Sequence, residues 1–165
     1  MSGPVPYPMP TTIITAEPGH VAAAVSALSG HMDTHRRDTF HDKLRRYARK
    51  TDRALFLARK TDHCVGFSMV IHSLSPPGDI SPDQARQLQE CACGTGLMVL
   101  KPWRGRGVGR RLVEQWEIWA RAHARSGLWC VTHRMGAWYR NCLGYRELER
   151  TWSKGVVKTL MIKRF

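Results

Sequence analysis

No apolar run in this chain approaches the roughly 18–20 residues needed to span a bilayer, so nothing in it reads as a transmembrane segment. The N-terminus lacks a basic stretch leading into an apolar one, which excludes a recognisable secretory signal. Acidic residues are scarce, 13 against 26 Lys and Arg, and the formal net charge is +13. That imbalance implies an anionic ligand, surface or partner, and says nothing of the fold. The five cysteines are odd in number, and no second pair or nearby His completes a zinc set around Cys91 and Cys93. They read as reduced strand cysteines of a cytoplasmic protein that holds no metal. Internal repeats are absent, as is any linker that would mark a second domain. The 165 residues suffice for one sizeable core. The expected organisation is a proline-rich tail over 1–10 and a single domain over 11–165, acting as a monomer or a homodimer.

The positive charge is uneven. Residues 36–60 hold ten Lys/Arg against three Asp, and residues 101–111 hold five Lys/Arg and no acid. Thr11 to Ala16 is β-branched and predicts a first strand. An Ala-rich helix is expected from His20 to Leu28, closed by Gly30. Phe40, Leu44 and Tyr47 form one apolar stripe of an amphipathic helix over 38–50, whose other faces carry Lys43, Arg45, Arg46, Arg49 and Lys50. Strands at 54–59 and 65–72 make a hairpin across Thr61-Asp62-His63. Ser81-Pro82-Asp83 opens a short helix to about Gln89. The next strand spans Gly94 to Leu100, where Gly94 and Gly96 suggest a bulge or a close backbone approach. A long helix over 109–125 repeats Val108, Leu112, Trp116, Ala120 and His123, with Trp119 beside them, and ends at Gly127. Strand 128–132, a short helix 137–142 stopped by Gly144, and a hairpin of 148–152 with 156–163 complete a mixed α/β (α+β) chain.

The stretch Leu97-Met-Val-Leu-Lys-Pro-Trp-Arg-Gly-Arg-Gly-Val-Gly-Arg-Arg111 concentrates the chemistry. A strand ends, a basic glycine-rich loop follows and a helix starts. Helix N-termini present unpaired amides and a partial positive charge that attract phosphate. Gly105, Gly107 and Gly109 permit close approach, and Arg104, Arg106, Arg110 and Arg111 add donors shaped for phosphate oxygens. A Walker loop is excluded because Gly-Lys-Ser/Thr is missing. A dinucleotide fingerprint fits poorly: the glycines run GxGxG, late in the chain.

On these residues the chain resembles the GNAT N-acetyltransferases. Their cofactor loop follows Gln/Arg-x-x-Gly-x-Gly/Ala, matched here by Arg104-Gly-Arg-Gly107-Val-Gly109. Leu97-Met98-Val99 resembles the strand that lines the pantetheine arm, and Trp138-Tyr139 to Gly144-Tyr145 is similar to the family's Phe-Tyr-x-x-x-Gly-Phe, with one extra residue before the glycine. The resemblance implies a mixed central sheet of six to seven strands flanked by helices. It also implies acetyl-CoA as co-substrate, held by Leu97, Met98, Val99, Arg104, Gly105, Arg106, Gly107, Val108, Gly109 and Arg110, and direct attack by a primary amine on the thioester. Amides around Met98 and Val99 would stabilise the oxyanion, and Tyr139 would protonate the departing thiolate. The base stays open between Glu90 acting through water, His133 and base-free transfer. An acceptor with negative charge near its amine is expected if the basic helix 38–50 walls the cleft. A toxin-type acetyltransferase acting on aminoacyl-tRNA and a non-enzymatic nucleic-acid-binding module are the alternatives, although the charge is not accompanied by a nucleic-acid-binding signature.

Overall fold

A computed structural model describes residues 10–77, 80–153 and 155–165. The expected tail therefore lies outside the described residues apart from Pro10. In chain order the main elements are β1 (Thr12–Thr15), α1 (Val21–Leu28), α2 (Thr34–Arg49), β2 (Arg53–Lys60), β3 (His63–Ile71), α3 (Pro82–Gln89), β4 (Ala92–Val99), α4 (Val108–Ala122), β5 (Gly127–Thr132), α5 (Gly136–Leu143), β6 (Arg146–Ser153) and β7 (Val156–Arg164).

The strands form one seven-stranded sheet in the order β1-β2-β3-β4-β5-β7-β6. Helices cover both of its faces, so alternate residues of one strand enter different cores. Leu55 and Leu57 of β2 join Leu28, Leu44, Met69, Leu88, Trp129 and Ile162 beneath α1, α2 and α3. Ala54, Phe56 and Ala58 face the other way and join Val70, Leu112, Trp116, Leu128 and Met161 beneath α4 and α5. The stripe of α2 falls as its spacing requires: Phe40, Leu44 and Tyr47 are all buried.

Two features of β4 shape the centre of the molecule. First, its parallel pairing with β5 covers only Ala92, Cys93 and Gly94, opposite Leu128, Trp129 and Cys130. Beyond Gly94 no further rungs join the two strands, and the sheet opens as a wedge. Second, β3 pairs Met69 with Gly96 but Val70 with Gly94, leaving Thr95 as an extra residue in β4. This is the bulge that the two glycines suggested. Gly94 leaves room for the adjacent indole: a Cβ there would sit 2.4 Å from Trp116. The Thr95 hydroxyl is held by Tyr47 of α2, Oη to Oγ1, at 2.7 Å.

Some boundaries differ from expectation for local reasons. α2 starts at Thr34 rather than 38, because Asp33 caps it by accepting from the Arg36 amide at 3.0 Å. α4 stops at Ala122 rather than 125. Its end is a Schellman turn, Ala124 N–H to Arg121 C=O and Arg125 N–H to Ala120 C=O, with Ala124 at φ 54° in the place glycine usually holds. His123, expected on the apolar stripe, sits at that cap and stacks on Trp119 at 3.9 Å between ring centroids.

Candidate active site

The loop after β4 begins with a tight turn in which the Trp103 amide donates to Leu100 C=O at 2.8 Å. Gly105 and Gly107 then take φ of 71° and 79°, the left-handed region that side chains with a Cβ avoid. Space is not what demands glycine there, since a Cβ on either would touch nothing within 4 Å. Gly107 is the residue from which α4 departs, and the first helical bond runs from the Arg111 amide to Gly107 C=O at 3.1 Å. The amides at 108–110 precede that bond and form the open helix end. No acid lies in the first turn to compete for it.

The arginines divide their work. Arg104 reaches back and donates through Nε to Val99 C=O at 2.8 Å, fixing the loop to the end of β4. Arg111 is spent on the residue ahead of β1, donating through Nη1 to Thr11 C=O at 2.7 Å and to its hydroxyl at 2.9 Å. Arg106 lies over the Trp103 ring at 5.4 Å, which Lys60 also approaches at 4.9 Å. Arg106 and Arg110 are exposed. Among the described residues none of these four is paired with a carboxylate. Gly109 is a different case from its neighbours: it is an ordinary helical residue, and a Cβ on it would point at Trp138 of α5 and Val99, 3.6 and 3.8 Å away. Leu97, Met98 and Val99 are half-buried along the stretch of β4 that has parted from β5. The ten residues expected to hold the cofactor therefore lie on one strand end, one loop and one helix start.

The opposite side of β4 borders a cavity of ≈ 580 Å³, the size of a small-molecule site. Phe40, Phe67, Met69, Leu97 and Met98 supply its apolar lining, and Asp33, Arg36, Lys43 and Thr95 its polar groups. Arg36, Phe40 and Lys43 reach it together because helical residues three and four apart share a face. For the same reason Arg45, Arg46, Arg49 and Lys50 do not: they border a separate outer groove with Asp42. The sequence reading placed the whole basic set on the cleft wall. The helix instead divides it, with Arg36 and Lys43 inward. Burial lowers the Lys43 pKa, and the nearby Arg46 and Arg36 lower it further.

The two expected catalytic groups stand apart from these features. Glu90 caps the end of α3 ahead of β4, fully exposed, and its carboxylate accepts from Arg164 at 2.7 Å. At about 3.3 Å of rise per residue, the start of β4 and its end at Val99 are roughly 23 Å apart. Glu90 stands ahead of the first residue of β4, tied to Arg164 of β7 and outside the parted stretch 95–99. The hydrogen bond from Arg164 lowers its pKa. Tyr139 is 5% exposed. Its ring packs edge-on against Trp138 and Tyr145 in the core beneath α4 and α5. Burial raises the tyrosine pKa far above its usual range and pushes the Cys130 thiol up to about 12. The extra residue before Gly144 explains the placement, since one residue turns a helix by about 100°. Tyr139 faces inward, and Arg140 occupies the position four before the glycine. His133 is exposed just past β5.

A family model described as the acetyltransferase (GNAT) family matches residues 22–145. The chain belongs to the GNAT family. Many solved structures share its fold. The PaiA N-acetyltransferase of Thermoplasma acidophilum in complex with coenzyme A has a TM-score of 0.68 at 12% identity, over 95% of this chain and 100% of that one. The ribosomal-protein-S18-alanine N-acetyltransferase of Escherichia coli has a TM-score of 0.68 at 15% identity, over 94% of each chain. An aminoglycoside N-acetyltransferase in complex with CoA has a TM-score of 0.69 at 19% identity, over 90% of this chain and 96% of that one. No curated protein matches the sequence. This GNAT protein is an acetyl-CoA-dependent N-acyltransferase by family, with the mixed, helix-flanked sheet that the motifs implied.

Proposed function

We propose that the chain binds acetyl-CoA at the 104–110 loop and transfers the acetyl group by direct attack of a primary amine held in the cavity beside β4. The observation that carries this reading is the position of β4. One end of the strand delivers the chain into an open helix N-terminus built on left-handed glycines. The separated stretch 95–99 borders both the wedge and the cavity, so a thioester in the one can meet an amine in the other. The pyrophosphate sits on the amides of 108–110 with Arg106 and Arg110 as donors, and the pantetheine arm runs along Leu97, Met98 and Val99 between the parted strands.

The attack forms a C–N bond and a tetrahedral oxyanion, which an unpaired β4 amide stabilises. Collapse expels the CoA thiolate. A thiol of pKa about 8.5 leaves readily as its anion, so the step needs no hydroxyl from Tyr139. The amine attacks in its neutral form, and the protons lost before attack and on collapse go to solvent. The inward Lys43 and Arg36 favour an acceptor with negative charge near its amine and disfavour polycations. Neighbours in the family act on a ribosomal-protein alanine and on aminoglycosides by their names; the cationic cavity of this chain argues for a different acceptor. The outer groove of Arg45, Arg46, Arg49 and Lys50 supports aminoacyl-tRNA as the second reading, with the phosphates held outside and the amine within.

The test is release of free CoA from acetyl-CoA in the presence of amine panels. Acceptor-dependent release with an N-acetyl product by mass spectrometry is expected. Release that no amine accelerates, with no acetylated product, would contradict the proposal.

A further inference from the structure

The cavity beside β4 is small, apolar on its floor and lined by two cations, Arg36 and Lys43, against one acid, Asp33, and those properties together narrow the acceptor. Phe40 lies against Phe67 at 5.3 Å between ring centroids, and Phe67 is paired with Met98. One end of the inward stripe of α2 is thereby placed over Met98. Tyr47 bonds with Thr95, which places the other end over the bulge. Seven helical residues at about 1.5 Å of rise cover the same length as the three strand residues from Thr95 to Met98. Lys43 lies between Phe40 and Tyr47 on this stripe, above the cavity floor, where Met69 and Phe67 cover Gly96. Phe67, Met69 and Met98 surround that point.

Arg36, the other inward cation, is at the rim. Its side chain is 75% exposed and 3.7 Å from Asp33. Lys43 has no carboxylate partner among the described residues, and it is half-buried. A lone ammonium over an apolar floor is poorly solvated, and its lowered pKa records that cost. A ligand carboxylate would remove it. Methionine side chains at Met32, Met69 and Met98 give the remaining lining the capacity to repack around different apolar groups.

Resting on the transfer reaction proposed above, we infer that the acceptor is a small free zwitterion, an amino acid with an apolar side chain, and that Lys43 is the residue that selects it by binding its carboxylate. The carboxylate meets the Lys43 ammonium, the side chain lies on Phe67 and Met69, and the amine is left facing β4. A histone-like tail or an aminoglycoside has no anionic group to offer Lys43. An aminoacyl ester has lost the carboxylate that this site reads.

The experiment compares apolar amino acids such as leucine, phenylalanine and methionine with their amides and methyl esters, using CoA release by the full chain. With each rate divided by the neutral fraction of its amine, the free acids should show a kcat/KM about ten- to a hundredfold above the matched amides and esters, the worth of one charge-assisted hydrogen bond. Lys43→Gln should raise the KM of the acids by a similar factor and leave the amides within about twofold, while Lys43→Arg restores much of the preference. The acetyl-CoA Kd of both variants, read by calorimetry, confirms that each is folded and loaded. Equal use of acids and amides by the unaltered protein would overturn the inference, as would an acid KM indifferent to Lys43→Gln. A preference for esters over acids would overturn it in favour of aminoacyl-tRNA. These failures differ from failure of the transfer proposal itself, in which no amine of any kind is acetylated.

Discussion

Gly109 separates the binding role of the loop from its folding role. The residue sits in the first turn of α4 with helical backbone, and an alanine Cβ there meets Trp138 and Val99 at 3.6 and 3.8 Å, which is ordinary contact. The fold therefore accepts alanine. Exchange of glycine for alanine inside a helix contributes up to about 1 kcal/mol of stability, worth roughly 2–4 °C in Tm for a domain of this size. The same methyl would stand between Val99 and Trp138, beside the course proposed above for the cofactor's arm. Gly109→Ala should raise the melting temperature of the free protein and weaken acetyl-CoA binding by about tenfold or more, a loss of roughly 1.4 kcal/mol. Gly107→Ala gives the contrasting result. Its φ of 79° costs a residue with a Cβ about 1–2 kcal/mol, so both Tm and affinity should fall. Melting curves and calorimetric titrations on the two variants read both quantities. A Gly109→Ala protein that is stabilised and binds acetyl-CoA as tightly as the parent would refute the placement of the cofactor between Val99 and α4.

The remaining expectations are simpler. Ala124→Gly relieves a left-handed alanine at the end of α4 and should stabilise the fold by about 1 kcal/mol, seen as a higher Tm with kinetics unchanged; an unchanged or lower Tm would count against the strain. Tyr139→Phe removes the hydroxyl and keeps the packed ring, so it should change stability by no more than about 1 kcal/mol, with kcat within about threefold of the parent. A kcat loss of tenfold or more in the folded variant would return the tyrosine to the role of acid. Glu90→Gln breaks the contact with Arg164 at the far end of β4 and should leave kcat and its pH profile where they were; a shifted profile would restore Glu90 as the base.

The strand-loop-helix at 97–111 was legible because its backbone requirements are local. Left-handed backbone calls for glycine, and Gly105 and Gly107 leave letters at fixed spacing. The helix stripes and most strands were legible for the same reason. Ala92 and Cys93, the first residues of β4, carry no strand pattern that the sequence alone displays, since small residues at a parallel rung are silent until β5 is placed beside them. Arg146 and Glu147 likewise conceal the start of the edge strand β6 behind charges. The end of α4 was misjudged because an alanine holds the place where glycine would have announced it. The two expected catalytic groups stand away from the loop for a different reason. Glu90 is close to β4 in sequence, but a strand carries its ends far apart. Tyr139 matched a motif by residue type, while one extra residue turned it into the core. The cavity was beyond sequence reasoning, because the bulge at Thr95, the bond from Tyr47 and the inward turn of Lys43 join three segments remote in the chain.

The measurement closest to the centre of the account is a calorimetric titration of the protein with acetyl-CoA, run beside a melting curve at saturating ligand. A ligand that binds only the folded state stabilises it by about 2.7 kcal/mol at a hundred times its Kd. The account predicts one site per chain, a melting temperature several degrees higher, and affinity that falls with added salt as the arginine–phosphate contacts are screened. No binding heat and no change in melting temperature at millimolar acetyl-CoA would contradict it.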